Sequence, residues 1–335
     1  MTVRFGIFDQ IEIRDGVALG ELYEQHLDLL VTAENAGFWG YHKSEHHMIP
    51  LDAVPNIGLF LAAASQRTKR IRLGTLVYLL PFHHPLRLAE EICILDHLTG
   101  GRLDVGVGRG VSLPEQELWG LAQSEISATY EESLAVLLEA LNTDSLSYAG
   151  DKYHFKDVPV LLAPVQRPHP PLWYPGNFEY AARRGMNSVV GGPIPIQVQA
   201  MAKYHQLCEL VRPGQPHPTV AGIHTIYIAP TDEEAQARMK QAWVAFTAHL
   251  TPLFRKWNLT PPKDPTVGGD VAAAMGAKLL LAGSPQTIRE FVKQWADETG
   301  SDYFIGKFTV GDLTHDEVRR SIELFAEHVM PAVNG

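Results

Sequence analysis

Four short stretches carry the residues that could do chemistry: Lys43-Ser44-Glu45-His46-His47, Pro81-Phe82-His83-His84-Pro85, Gly108-Arg109-Gly110 and Tyr174-Pro175-Gly176-Asn177. His46 follows an acidic residue, and a carboxylate can fix the tautomer and orientation of an imidazole, as a general acid or base near neutral pH requires. His46 and Glu45 are therefore the candidate catalytic pair. His83 and His84 precede a proline in a loop, where histidine often only packs or caps. A shared metal ion is disfavoured. His42 and His46, four apart on an extended segment, would be separated by ~13 Å, and neither histidine pair has the alternate spacing that turns two ring nitrogens to one ion. Arg109 lies between glycines, which let the backbone approach an anion closely while the guanidinium makes bidentate bonds to phosphate. Gly176-Asn177 stands ahead of a helix and would add amide donors to the same anion. Together they suggest a phosphorylated cofactor lying across one rim of the fold.

These stretches converge only if they end strands that point the same way. Residues 70–110 supply the central unit: Ile71, Leu73, Thr75, Val77 and Leu79 alternate with mostly apolar neighbours, the pattern of a strand buried on both faces. Leu86, Ala89, Ile92, Cys93, Leu95 and Leu98 then recur at helical spacing, and Thr99-Gly100-Gly101 stops the helix. Leu103, Val105 and Val107 form a second strand, which makes the unit a βαβ crossover with parallel strands. Strands are expected at 4–9, 39–45, 171–176, 187–191, 220–229 and 303–310 as well, with helices at 19–36, 56–66, 129–141, 178–184, 195–211, 232–257, from 284 onward and at 314–330. That alternation describes a single (β/α)8 TIM barrel over residues 1–335, an α/β fold of ~250 residues with insertions. The insertions fall at about 142–170, where a hairpin should turn at Gly150-Asp151, and at about 258–277, a proline-rich and glycine-rich stretch with the composition of a lid. A doubly wound sheet would want a glycine fingerprint after the first strand, and Phe8-Asp9-Gln10-Ile11-Glu12 has none.

Composition narrows the partners. The formal net charge of −10 argues against nucleic acid, whose phosphates demand a basic surface. No apolar run is long enough to span a bilayer and no basic-then-apolar leader is seen, so a cytoplasmic protein with no membrane partner is expected. The two cysteines, Cys93 and Cys208, lie on apolar helix stripes and read as buried free thiols of a reducing compartment.

Further short motifs match in order and spacing: Phe5-Gly6, Ala33-Glu34-Asn35-Ala36-Gly37-Phe38, Glu45-His46-His47, Arg72-Leu73-Gly74-Thr75, His84-Pro85-Leu86-Arg87, Gly101-Arg102-Leu103, Gly108-Arg109-Gly110 and Ala282-Gly283-Ser284-Pro285. With these the chain resembles, over essentially its whole length, the bacterial luciferase-like family of flavin-dependent monooxygenases and oxidoreductases. The resemblance implies a barrel that takes reduced FMN from a separate flavin reductase and uses O2 to oxidise a small apolar organic substrate such as an aldehyde or ketone. It implies that His46, with Glu45 beside it, is a general base near the flavin. Leu76-Val77 matches a non-prolyl cis peptide under the flavin ring, with Tyr78, Phe8, Phe82 and Trp173 completing an apolar pocket. Arg109, Gly110, Gly176 and Asn177 match phosphate-binding positions, and a homodimer through the helices after the first two strands is implied as in relatives. The chain departs from the pattern at Gly108, where the light-emitting subunit has a reactive cysteine, and at Ser127-Ala128-Thr129, where many relatives carry an arginine. Light emission is not expected. Alternatives are a hydride-transfer oxidoreductase using the deazaflavin coenzyme, a flavin-binding protein without turnover and, from another class, a metal-dependent barrel hydrolase.

Overall fold

A computed structural model describes residues 2–255 and 270–335. Its strands are β1 (Arg4–Asp9), β2 (Gly40–Lys43), β3 (Arg72–Leu79), β4 (Leu103–Gly108), β5 (Ser145–Ala149), β6 (His154–Pro159), β7 (Leu172–Trp173), β8 (Ser188–Val190), β9 (Val220–Ile228), β10 (Leu280–Gly283) and β11 (Tyr303–Lys307). Parallel pairing runs β9, β11, β1, β2, β3, β4, β7, and β8 pairs with the start of β9. A parallel bridge between Trp173 and Asn187, in which the Tyr174 amide donates to Asn187 and the Asn187 amide to Leu172, joins β7 to the residue just before β8. The ladder therefore returns on itself as a barrel of parallel strands, with helices on its outer face. Every strand of the ring sends its carboxyl end to one rim.

The central unit forms as its pattern demands. All residues of β4 are buried, and between β3 and β4 the helix Pro85–Thr99 turns Leu88, Ala89, Ile92, Cys93 and Leu95 inward. Gly100 ends that helix in the left-handed region at φ +64°. Leu98, expected on the same stripe, is exposed instead. The Glu34 carboxylate accepts from the successive amides of Lys69, Arg70 and Ile71, which fixes the height at which β3 enters the barrel. Both cysteines are buried and free. Among the described residues no helix is long and apolar enough to cross a membrane.

Several boundaries differ from expectation, each for a local reason. β7 is two residues long because Pro170 and Pro171 precede it and Pro175 follows, and proline gives a ladder no N–H. The expected helix 232–257 stops at Leu250, since Pro252 cannot donate to the preceding turn; a short helix Pro252–Arg255 follows, and residues 256 and 257 lie outside the described residues. β10 is an additional strand, paired with β9, that a run of four small and apolar residues did not announce. The insertion at 142–170 contains the antiparallel hairpin β5–β6, its turn pinned by the Glu132 carboxylate accepting from the amides of Asp151 and Lys152. Of the stretch 258–277 read as a lid, residues 258–269 lie outside the described residues, and Val271–Gly276 is a helix capped by the Asp270 side chain.

Candidate active site

A cavity of about 540 Å³ opens at the carboxyl rim, within the size range of small-molecule sites. Glu45, His46, Leu76, Val77, Arg109 and Gly110 border it, with Gly176 and Asn177 across the mouth. Tyr78 does not: its side chain turns away to the helix Pro85–Thr99, where its hydroxyl donates to Glu91 at 2.8 Å. Phe8 lines the cavity, whereas Trp173 packs inside the barrel beside Tyr303, and Phe82 stacks on Trp119.

The histidine and carboxylate partnerships differ from the adjacent pairing read in the sequence. Glu45 is buried and holds His47, whose Nε2 donates at 2.7 Å, and His83, whose Nε2 donates at 2.9 Å, while its second oxygen accepts the Leu79 amide at 3.0 Å. Neighbouring side chains on an extended segment face opposite ways, so Glu45 meets the residue two along rather than His46. Burial alone would raise the Glu45 carboxyl, but hydrogen bonds and charge from His47 and His83 outweigh it and hold the carboxyl at about 2. For His83 burial pushes the imidazole down and Glu45 pushes it up; the carboxylate wins and the pKa is raised. His83 is therefore part of the support beneath the cavity.

His46 has a different carboxylate. Its Nδ1 lies 3.3 Å from Glu115 Oε1, which also accepts the His47 amide at 2.7 Å. Glu115 stands on the helix Leu113–Leu118, where the Ser112 side chain caps its amide. Ser112-Leu113-Pro114-Glu115 has the spacing of a capping box, which is the sequence signal for this helix start. The Glu115 carboxylate does not return to Ser112; it reaches across to the histidines. Ser44 also borders the cavity, and its hydroxyl donates at 2.7 Å to Asp52, which is ion-paired with Lys43 below the floor.

The Leu76–Val77 peptide is cis, and the β3–β4 register shifts between Thr75 and Tyr78. Gly106 and Gly108 make room for that segment: a methyl on Gly106 would lie 2.2 Å from the Thr75 carbonyl oxygen, and one on Gly108 would lie 2.6 Å from a Val77 methyl. Thr75 Oγ1 accepts the Gly106 amide and donates to its carbonyl, both at 2.9 Å, which ties the two strands beside the irregularity. Gly110 has φ +79° and Gly176 φ +135°, conformations that favour glycine.

The far end of the cavity suits an anion. Arg109 reaches out to the Ser127 hydroxyl at 3.2 Å, and the buried Tyr130 hydroxyl beside them has no hydrogen-bond partner among the described residues. Asn177 uses its side-chain oxygen to cap the Tyr180 amide at 3.0 Å. Glu131 also borders this end, where it accepts from the Tyr180 hydroxyl and pairs with Arg184 at 3.1 Å. Among the described residues no group of three or more histidine, cysteine or acidic side chains is placed to hold a metal ion.

Comparison with known proteins follows the same lines. The profile of the luciferase-like monooxygenase family matches residues 3–303. An uncharacterized protein, y4wF, from Sinorhizobium fredii is 33% identical over 318 residues, covering 93% of this chain and 92% of that one. Limonene 1,2-monooxygenase of Rhodococcus erythropolis is 25% identical over 327 residues, covering 93% and 81%. The oxygenase component of flavin-dependent trigonelline monooxygenase from Acinetobacter baylyi is 27% identical over 252 residues, covering 70% and 67%. Among solved structures, the monooxygenase RslO1 of Streptomyces bottropensis superposes with a TM-score of 0.87 at 26% identity, over 98% of this chain and 99% of that one. The oxygenating constituent of 3,6-diketocamphane monooxygenase from Pseudomonas putida, in complex with FMN, has the same fold at a TM-score of 0.82 and 21% identity, over 99% and 98%.

Proposed function

The chain belongs to the luciferase-like monooxygenase family, and on that premise we propose that it oxidises a small apolar organic substrate with reduced FMN and O2. One observation carries the reading: a single cavity has His46 and the Leu76–Val77 segment on one side and, at the other, Arg109 with the buried Tyr130 hydroxyl, which has no hydrogen-bond partner among the described residues. An apolar face with a cationic, donor-rich end fits a flavin mononucleotide, and the orphaned hydroxyl is a donor that a phosphate would satisfy.

Reduced FMN, when bound, supplies the electrons that activate O2. Arg109, Ser127 and Tyr130 would hold its phosphate, and the glycines at 110 and 176 would let the backbone come close. Leu76, Val77 and Phe8 would bear on the ring system and keep water from the reacting centre. His46 would accept or return a proton through Nε2, which has no protein partner among the described residues. Glu45 would act one step removed, holding the loop that carries His46 through His47 and Leu79.

A separate flavin reductase as electron donor is part of this reading, as the trigonelline relative is an oxygenase component. A homodimer is part of it too, through the helices after the first two strands, Leu19–Asn35 and Ile57–Arg67, on which Leu19 and Leu59 are exposed; sedimentation velocity checks it.

The test is an anaerobic titration with reduced FMN, oxidised FMN and the reduced deazaflavin coenzyme, following quenching of the six tryptophans. Preferential binding of reduced FMN, with O2 consumed and an apolar ketone or aldehyde converted on aeration, supports the proposal. Binding of the deazaflavin alone moves the assignment to hydride transfer. Binding of none of the three refutes the cofactor assignment.

A further inference from the structure

Glu115 is buried, 2% exposed, yet among the described residues the only group within ion-pairing distance that can carry positive charge is His46. One carboxylate oxygen takes both of its bonds, from the His47 amide at 2.7 Å and from His46 Nδ1 at 3.3 Å. The backbone beneath it is fixed at two points. The Ser112 hydroxyl donates to the Leu253 carbonyl at 3.1 Å, and the Gln116 side chain reaches the Gly110 carbonyl beyond β4 at 3.5 Å. The short helix thus spans the end of β4 and the segment Pro252–Arg255, and it presents one carboxylate to the loop after β2.

A carboxylate can only accept, so the ring nitrogen facing it must carry the hydrogen. A neutral imidazole with its hydrogen on Nδ1 keeps a lone pair on Nε2, and Nε2 of His46 has no protein partner among the described residues. Left to itself an imidazole side chain favours the opposite tautomer, so a fixed acceptor is needed to reverse the preference. Glu45 cannot serve, because His47, His83 and the Leu79 amide already occupy it.

We propose that Glu115 is the positioning residue of this site: it fixes His46 in the Nδ1–H tautomer and leaves Nε2 as the proton acceptor toward the cavity. When Nε2 takes a proton, the imidazolium remains paired with the same carboxylate, so no side chain need move during the transfer. The inference rests on the reading of His46 as the proton-handling group of the proposed oxidation, but the tautomer itself can be read without cofactor, substrate or turnover.

The experiment is 15N NMR of histidine-labelled protein at a pH where His46 is neutral, its signal assigned by loss in His46→Gln. Wild type is expected to show a protonated Nδ1 and an unprotonated Nε2, and Glu115→Ala to move the population toward Nε2–H. Glu115→Gln keeps the shape and an acceptor oxygen, so it guards against a variant that fails to fold and should shift the tautomer less than alanine does. With reduced FMN and a converted substrate, Glu115→Ala should lower kcat about 10- to 100-fold, part of the 10²–10⁴ that general acid–base catalysis supplies, while FMN affinity changes less than about twofold. An Nε2–H tautomer in the wild type, or no change in Glu115→Ala, overturns the proposal. If the protein binds no flavin, the function proposed above fails, and the tautomer measurement still decides the role of Glu115.

Discussion

Replacing Glu45 by glutamine tests whether the support beneath the cavity is electrostatic. The carboxylate is buried, accepts from the Leu79 amide, and holds two imidazoles. Folding keeps its pKa at about 2 against an ordinary 4.5, although burial by itself would raise it. At about 1.4 kcal/mol per tenfold change in proton affinity, that preference for the charged form is worth about 3 kcal/mol. Because the folded value is the lower one, this contribution is present above about pH 4.5 and is lost as the pH falls toward about 2. His83 has the opposite sign: its pKa is raised in the fold, so its contribution is full below its ordinary 6.5 and fades as the pH rises through the folded value. Glutamine keeps an acceptor for the Leu79 amide but no charge for either histidine. Glu45→Gln should therefore lose about 2–3 kcal/mol of unfolding free energy between roughly pH 5 and 6.5, and less at about pH 9. Urea unfolding followed by tryptophan fluorescence at three pH values measures this. A difference under about 0.5 kcal/mol near pH 6, the size of an ordinary surface substitution, or one that grows with pH, would refute the reasoning.

Other substitutions probe neighbouring parts of the site. Asp52→Ala strips the counter-ion from fully buried Lys43 and should cost about 3–5 kcal/mol, most of it recovered when Lys43→Met is added; thermal unfolding of the single and double variants decides this. Gly106→Ala should destabilise more than Gly108→Ala, because the first methyl meets a backbone oxygen at 2.2 Å and the second meets a Val77 methyl at 2.6 Å; equal unfolding midpoints would contradict the packing argument. Arg109→Met should weaken FMN binding about 10- to 100-fold, the size of a charge-assisted bond, and leave riboflavin binding unchanged, and a parallel loss for both ligands would remove Arg109 from the phosphate site.

The legible part of the fold was the part with the clearest physical pattern. β3 and β4 announce themselves because both are buried on both faces, and a helix with one apolar stripe and a glycine stop lies between them. β10 was missed because Leu280-Leu281-Ala282-Gly283 is too short for any periodicity and follows a glycine-rich and alanine-rich stretch. The Gly106 and Gly108 positions were visible as glycines, but their reason was not. They accommodate the irregular turn of β3, a contact between strands that no single stretch of sequence contains.

In the site, the barrel rule placed the residues at one rim, and alternation along an extended chain could have gone further. Adjacent residues face opposite sides, so Glu45 and His46 were never suited to each other, while Glu45 and His47 were. The 2.7 Å bond between the latter pair joins two residues that this period puts on one face. The same rule would put Leu76 and Tyr78 on one face and turn Val77 away, but the strand is irregular there: Leu76 and Val77 both border the cavity, and Tyr78 turns to the outer helix. Glu115 lies beyond this kind of argument. It sits nearly 70 residues from His46, and the two meet only because β2 and β4 end on the same side of one barrel. What a sequence of this kind yields first is therefore the rim and the residue types on it. Which carboxylate holds which imidazole depends on how far each loop reaches after its strand has ended.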